Sequence, residues 1–249
     1  MLAGMPRPNP LVRGAFVVTL ALVLVACASA APPTPAPAYV WPTATPMKSV
    51  PVGAKYAEAF VAAFSADPLA MHIDETQKLK GLYELDGASL SATMSLDISG
   101  DDMKAHMVTK AAGKTTKMDL VVVGKTVYVR LPGHKWRTVR RSDFEQDISD
   151  ALRSVQLIRN PTDLSYVGVE TIDKHKLHHL KANRKFPYRS GSETGTYDKF
   201  DVWVKEDGTP VLVKAKISAV GAYGFEVTGT TEMRFSKFGG PIKIVAPKN

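Results

Sequence analysis

The chain has 249 residues, of which 45% are hydrophobic, 8% aromatic and 22% charged. This composition is typical of a globular protein, and it excludes a disordered chain, a collagen-like repeat and a polytopic membrane protein. The single cysteine excludes an intrachain disulfide and a structural zinc site built from several thiolates. The formal charge of +8 is compatible with binding to nucleic acid, with contact to an anionic membrane surface, or with solubility alone.

The N-terminus has the pattern of a secretory signal that ends at a lipidation site. Two arginines precede an uncharged run of about 12 residues, 15–26, which suits a signal peptide and is shorter than the ~20 residues of a membrane span. The run ends in Leu24-Val25-Ala26-Cys27, which resembles the lipobox of bacterial lipoproteins. We expect removal of residues 1–26 and a diacylglyceryl anchor, with palmitate-type acyl chains, on Cys27. The alternative is an ordinary signal peptide with a buried thiol.

A proline-rich segment follows the lipidation site. Residues 28–52 contain seven prolines and one charged residue, Lys48, so this segment cannot bury enough apolar surface to fold. We interpret residues 27–52 as the lipidated cysteine and a tether that could reach roughly 75 Å from the membrane. Loss of the two signal-peptide arginines would lower the formal charge from +8 to +6.

Residues 53–249 have the pattern of one domain. Tyr56, Phe60 and Phe64 lie four apart and predict a helix over 55–64. The segment 89–99 alternates apolar and polar residues, which predicts a strand with one buried face. Similar segments separated by turn residues predict further strands at about 71–85, 103–107, 118–122, 126–131, 164–171, 176–182, 200–205, 210–218 and 225–235.

A second helix is predicted between the two groups of strands. Ser142 and Glu145 form a capping box, and the apolar stripe behind it consists of Phe144, Ile148, Leu152 and Val155. Because this stripe needs a partner, we expect it to pack on the sheet. The segment 186–195 is polar and rich in Gly and Ser, which predicts a loop that could form the rim or lid of a cavity. The overall prediction is an α+β fold: one antiparallel sheet of about ten strands with two helices.

Three short motifs carry a resemblance to a known family. Residues 124–129 followed by Trp136, residues 166–173, and residues 200–210 with Trp203 resemble three hairpins of LppX/LprG-type bacterial lipoproteins, in the LolA/LolB-like group. In the second motif Lys174 stands where the family usually has Gly. The resemblance implies a strongly curved half-barrel sheet with helices across its concave face. It also implies an apolar cavity between them that carries lipids or lipoproteins without covalent chemistry.

This resemblance predicts an apolar lining for a lipid or glycolipid ligand. Four methionines lie in three successive predicted strands, and Met suits a surface that accepts varied apolar ligands, although the same residues could be core filler. The candidate ligand-binding residues are Leu90, Met94, Leu96, Ile98, Met103, Met107, Met118, Leu120, Phe144, Ile148 and Leu152. The alternative is a non-enzymatic envelope sensor or scaffold that binds a protein, such as a transporter component, through the same sheet.

The remaining polar clusters do not indicate catalysis, a cofactor or a metal. No hydrolase, metalloprotease or nucleotide-binding motif is present. His175 and His179 would lie about 13 Å apart along a strand, and His178 would point to the other face, so chelation is not expected. Nucleic-acid binding is unexpected for a secreted, anchored chain without an RNA- or DNA-binding motif. The basic clusters at 137–141 and 181–189 could contact anionic lipid head groups or simply face water.

Overall fold

Period-two alternation of apolar and polar residues governs most of the chain and produces one antiparallel sheet. The computed structural model describes residues 53–64, 69–81, 89–141, 161–190, 193–220 and 226–248. The sheet has twelve strands within these ranges: β1 (Ala70–Lys80), β2 (Leu90–Ser99), β3 (Asp102–Ala111), β4 (Lys114–Val123), β5 (Thr126–Arg130), β6 (Arg137–Arg140), β7 (Leu164–Ile172), β8 (His175–Ala182), β9 (Phe186–Ser190), β10 (Glu193–Val204), β11 (Pro210–Val220) and β12 (Glu226–Ser236).

The sheet combines two runs of hairpins with one long-range pairing. The strand order is β6-β5-β4-β3-β2-β1-β12-β11-β10-β8-β7, and β9 pairs with β10 beside this path. Strands β1 and β12 pair antiparallel in the middle of the sheet, from His72 opposite Ser236 to Lys80 opposite Thr228. Strands β6 and β7 form the two edges and do not pair with each other, so the described sheet is open.

The two faces of the sheet differ sharply in polarity. In β2, residues Leu90, Ala92, Met94, Leu96 and Ile98 are buried, and the residues between them are more exposed. The strand registers place Leu90, Leu96 and Ile98 opposite apolar residues of both neighbouring strands, and one buried cluster extends from β5 to β7. We call this side of the sheet the inner face, and the opposite, mostly polar side the outer face. The predicted fold, one curved antiparallel sheet with an apolar face, agrees with this arrangement.

One α-helix lies on the inner face in the described part of the chain. Helix α1 (Ala54–Ala63) begins after Gly53 and buries Tyr56, Ala57 and Phe60. Its principal contacts are with β7, β8 and a 3-10 helix, Pro161–Asp163. At its other end Phe64 packs edge-on against Phe235 of β12, with ring centroids 5.7 Å apart. The predicted helix over 55–64 is therefore confirmed within one residue at each end. No described helix is long and apolar enough to cross a bilayer.

Two features differ from the prediction, and two further predictions fall on residues that the structure does not describe. The sheet has twelve described strands rather than about ten, because the short strands β6 and β9 gave no clear alternation in the sequence. The predicted loop at 186–195 was wrong: β9 pairs antiparallel with the beginning of β10 there, and Phe186 is 1% exposed in the core. The second predicted helix, with the capping box at Ser142 and Glu145, lies outside the described residues, and so does the N-terminal segment 1–52.

Candidate functional site

The inner face brings together the predicted apolar residues that the structure describes. Their side chains are at most 9% exposed, and all belong to the same buried cluster. They are Leu90, Met94, Leu96 and Ile98 of β2, Met103 and Met107 of β3, and Met118 and Leu120 of β4. The other three candidates, Phe144, Ile148 and Leu152, lie outside the described residues, as does Cys27. The clustering of these eight residues is therefore established, whereas ligand binding by them remains a prediction.

The strand registers align the methionines in a single row across the inner face. Met118 of β4 lies opposite Met107 of β3, and Met107 lies opposite Met94 of β2. Met94 lies opposite Glu75 of β1, and Glu75 lies opposite Met233 of β12. We call these five residues the methionine row. Met side chains are unbranched and polarizable, so the row forms a deformable apolar surface with one carboxyl group inside it.

Glu75 is the residue of this site that the sequence analysis missed. The alternation of β1 places Glu75 and Gln77 on the same face as Met71, Ile73 and Leu79, and both polar residues are at most 2% exposed. The Thr231 hydroxyl donates a hydrogen bond of 3.0 Å to Glu75 Oε1. Burial raises the pKa of Glu75 to about 8, against the lowering effect of that hydrogen bond. The signal in the sequence was the strand period itself, which runs through Ile73, Glu75, Gln77 and Leu79.

Helix α1 is attached to the sheet through a polar and aromatic contact. The His178 ring of β8 stacks on Tyr56 with ring centroids 3.7 Å apart. His178 Nε2 lies 2.6 Å from Glu206 Oε2, and His178 Nδ1 lies 3.1 Å from the Tyr166 hydroxyl. The Nε2–H tautomer satisfies both contacts, because it donates to the carboxylate and accepts from the hydroxyl. Tyr56 also donates to Glu206 Oε1 over 3.0 Å. This cluster fixes the helix over β7 and β8.

The other histidines of β8 do not form a metal site. His179 points to the outer face, where it stacks on Trp203 with ring centroids 4.5 Å apart. Its two ring nitrogens lie 2.8 Å from Glu170 Oε1 and 2.9 Å from Asp201 Oδ1. His178 and His179 therefore face opposite sides of the sheet, as the strand period predicts. Within the described ranges, no group of three or more His, Cys, Asp or Glu side chains is arranged to hold a metal ion.

The outer face carries a row of lysines that the sequence analysis did not identify. Ser91 of β2 lies between Lys110 of β3 and Lys78 of β1. Thr230 of β12 lies between Lys78 and Lys216 of β11. Lys216 in turn lies opposite Lys199 of β10. We call Lys78, Lys110, Lys199 and Lys216 the lysine row. Ion pairs nearby are made by Lys185 and Lys214 instead, and no described carboxylate pairs with a member of the row. Two adjoining depressions of about 540 and 470 Å³ share Lys78, Thr230 and Lys216.

The basic clusters expected from the sequence are partly neutralised. Arg184 forms two hydrogen bonds with Asp163, of 2.9 and 3.0 Å, and Lys185 forms an ion pair of 2.7 Å with Asp198. Arg137 and Arg140 are exposed on the edge strand β6. Lysines without an ion pair to a described carboxylate are therefore found together in the lysine row, although Asp198, Asp201 and Glu232 line the same depressions.

Comparisons with known proteins identify distant structural neighbours only. No family model matches the chain, and no curated protein matches it. A DUF1329 family protein from Desulfovibrio piger is 12% identical with a TM-score of 0.28, over 74% of this chain and 90% of that one. MucB in complex with MucA(peri) is 14% identical with a TM-score of 0.27, over 76% and 56%. A β-barrel-like DUF1849 protein from Brucella abortus is 9% identical with a TM-score of 0.20, over 68% and 98%.

These similarities are too low to assign a family. None of the three structures bears a name of the LppX/LprG type, and their TM-scores of 0.20 to 0.28 carry no functional argument. The function must therefore be argued from the inner and outer faces of the sheet.

Proposed function

We propose that this protein is a membrane-anchored lipoprotein of the cell envelope, without enzymatic activity, which binds or carries a lipid or lipidated molecule against the inner face. The methionine row carries this proposal. Three methionines in successive strands and a fourth beyond Glu75 form one band across five neighbouring strands. Such a band can adapt to acyl chains of different length and shape, which a core of branched residues does less readily.

The one helix that the structure describes is short compared with the width of the apolar face. A ten-residue helix is about 15 Å long, whereas eleven strands spaced by about 4.8 Å extend over roughly 50 Å. The principal contacts of α1 lie at β7 and β8, away from the methionines of β2, β3 and β4. Burial of an acyl chain contributes about 0.8 kcal/mol for each CH₂ group, so half of a 16-carbon chain would contribute about 6 kcal/mol toward the cost of association.

Native mass spectrometry of the purified protein tests the proposal. The wild type, produced without its own anchor, should retain lipid. Met118→Trp places a large side chain at the end of the methionine row and should reduce the bound lipid while the protein stays folded. The matched control is Lys117→Trp, the neighbouring exposed residue of β4, which should retain lipid. A wild type free of lipid, together with a Met118→Trp variant that is strongly destabilised by overpacking, would show a filled core and contradict the proposal.

Membrane attachment is a separate part of the proposal and has its own test. The sequence Leu24-Val25-Ala26-Cys27 and the tether behind it support a lipid anchor at Cys27. Replacement of Cys27 by Ser should move the protein from the membrane fraction to the soluble fraction. Continued membrane retention of that variant would contradict lipidation, but it would leave the ligand-binding proposal intact.

The lysine row supports a second candidate function, which is binding of an acidic segment of an envelope protein on the outer face. The row offers four cations interleaved with Ser91 and Thr230, and these hydroxyls can donate to carboxylates. A fluorescent decaglutamate peptide should bind, and its affinity should fall with salt concentration. Lys78→Glu with Lys216→Glu should weaken binding by about tenfold or more, whereas Lys104→Glu with Lys117→Glu, outside the row, should change it little. If both double variants bind the peptide with equal affinity, the lysine row is excluded as its binding site.

A further inference from the structure

Glu75 has a position and a bonding state that the fold itself does not explain. Its carboxyl group is 2% exposed and lies between Met94 and Met233 on the two neighbouring strands. Oε1 accepts the Thr231 hydrogen bond, but Oε2 is buried and has no hydrogen-bond partner in the described part of the chain. Buried polar atoms are nearly always paired, so an orphaned carboxyl oxygen in an apolar core requires an explanation.

The chemistry of the group follows from its surroundings. Its nearest neighbours on the inner face are Ile73 and Gln77 on β1, Met94 on β2, and Thr231 and Met233 on β12, and none of them is titratable. With no cation beside it among the described residues, burial favours the neutral carboxylic acid. A neutral carboxyl carries one O–H donor. Because Oε1 accepts from Thr231, we expect the proton on Oε2, which is buried and has no described acceptor for it.

We propose that Glu75 donates a hydrogen bond from Oε2 to a carbonyl oxygen of the bound ligand, and that the ligand is a neutral acyl ester or amide lipid. This inference rests on the proposed lipid-binding function and specifies its ligand class. The methionines on both sides accommodate the apolar chain, and the carboxyl group fixes the position of the carbonyl along it. A free fatty acid anion or a phosphate is disfavoured at this depth, because the described residues around Glu75 offer its charge no cation.

The unpaired carboxyl oxygen also bears on the stability of the free protein. A hydrogen-bond donor that serves only the ligand destabilises the unliganded protein. Replacement by an apolar side chain of similar length should therefore raise the melting temperature of the free protein and weaken ester binding at the same time. A residue that is buried for structural reasons alone would behave differently, because its replacement would leave ester recognition unchanged.

The test compares two ligands of 17 carbon atoms that differ in the presence of an ester group. The processed chain with Cys27→Ser would be titrated with methyl palmitate and with heptadecane, by displacement of 1-anilinonaphthalene-8-sulfonate. The wild type should prefer the ester by about tenfold, which is the contribution of one hydrogen bond made in an apolar site. Glu75→Met should bind both ligands equally and melt at a higher temperature than the wild type. Glu75→Gln, which keeps a donor, should retain the preference.

Thr76→Met is the matched control, because Thr76 neighbours Glu75 on the exposed side of β1. It should leave both the affinities and the ester preference unchanged. An ester preference that survives in Glu75→Met would overturn this inference and leave the proposed function standing. A wild type that binds heptadecane and the ester equally would also overturn this inference and leave the proposed function standing. If the wild type binds neither ligand, the lipid-binding function and this inference fail together.

Discussion

The rings of Tyr56 and His178 stack with their centroids 3.7 Å apart and an interplanar angle of 19°. Tyr56 belongs to helix α1 and His178 to strand β8, so this contact joins the described helix to the sheet. Glu206 completes the contact, because it accepts hydrogen bonds from Lys55, His178 and Tyr56. The position of the helix over the inner face therefore depends on one exposed carboxylate, which has consequences at low pH.

Attachment of the helix should weaken below pH 4.5. Hydrogen bonds from Lys55, and then from His178 and Tyr56, lower the pKa of Glu206 from 4.5 to about 2. A lowered pKa means that the stabilisation is complete above pH 4.5 and is lost as the pH falls toward 2. Hydrogen-exchange protection factors of amides 54–63 should fall in that window. Glu206→Gln should show lower protection at pH 6 and little change with pH, whereas Glu58→Gln, on the exposed side of α1, should behave like the wild type.

A glycine in the turn before β11 should prove essential for helix packing. Gly208 has a φ of +82°, and a Cβ added to it would lie 2.1 Å from Ala59 Cβ of α1. Gly208→Ala should therefore lose about 1–2 kcal/mol through its backbone conformation and a further 1–3 kcal/mol through the clash. Gly113→Ala is the matched control, because Gly113 has a φ of +73° and no atom within 4 Å of an added Cβ.

Urea denaturation of both variants separates these two contributions. Ala59→Gly should relieve the clash, so the double variant Gly208→Ala with Ala59→Gly should be more stable than the sum of the single effects predicts. Equal losses in Gly208→Ala and Gly113→Ala would show that the helix does not pack against this turn.

A glycine substitution in the turn between β7 and β8 should stabilise the protein. Asp173 and Lys174 have φ values of +50° and +68°, which L-residues adopt at a cost. Lys174→Gly should raise the free energy of unfolding by roughly 0.5–1 kcal/mol, because two-residue hairpin turns of this kind favour Gly. Lys176→Gly, at an exposed position inside β8, should lower it by a similar amount. If chemical denaturation shows no increase in the free energy of unfolding of Lys174→Gly, the turn geometry is contradicted.

The stability of the protein should fall between pH 4.5 and 8 because of Glu75. Burial raises its pKa in the folded state from 4.5 to about 8. In this window the unfolded chain releases the proton that the folded chain retains, so rising pH favours unfolding, by up to about 1.4 kcal/mol for each pH unit. Urea denaturation at pH 5, 6.5 and 8 should show this slope in the wild type, and Glu75→Gln should remove it. Parallel pH profiles of the two proteins would refute a neutral buried acid.

The sequence predicted local structure better than it predicted long-range contacts. Strict alternation identified β2 and β12, and the Tyr56–Phe60–Phe64 spacing identified α1. The hairpin at Phe186 was missed, because its second strand begins in a polar segment and is held by pairing with β11. Such pairing depends on residues distant in the sequence, which local alternation cannot reveal.

The candidate site was predicted in part for the same reason. The methionines of β2, β3 and β4 were identified because each lies on the apolar side of its own strand. Their alignment with Glu75 and Met233 depends on the β1–β2 and β1–β12 registers, which no local pattern contains. Glu75 was missed because an acidic residue does not look like part of a core, although the strand period places it there.

The pairing of β1 with β12 sets an order for folding as the chain emerges during synthesis. Strands β1 to β6 can form their hairpins as soon as they emerge, but β1 gains its second neighbour only when residues 226–236 arrive. Until then the backbone groups of Ala70–Lys80 form an open edge beside an apolar face, and such edges recruit other chains. A chain that stalls before β12 would therefore be prone to aggregate, and a chaperone that shields this edge would protect it.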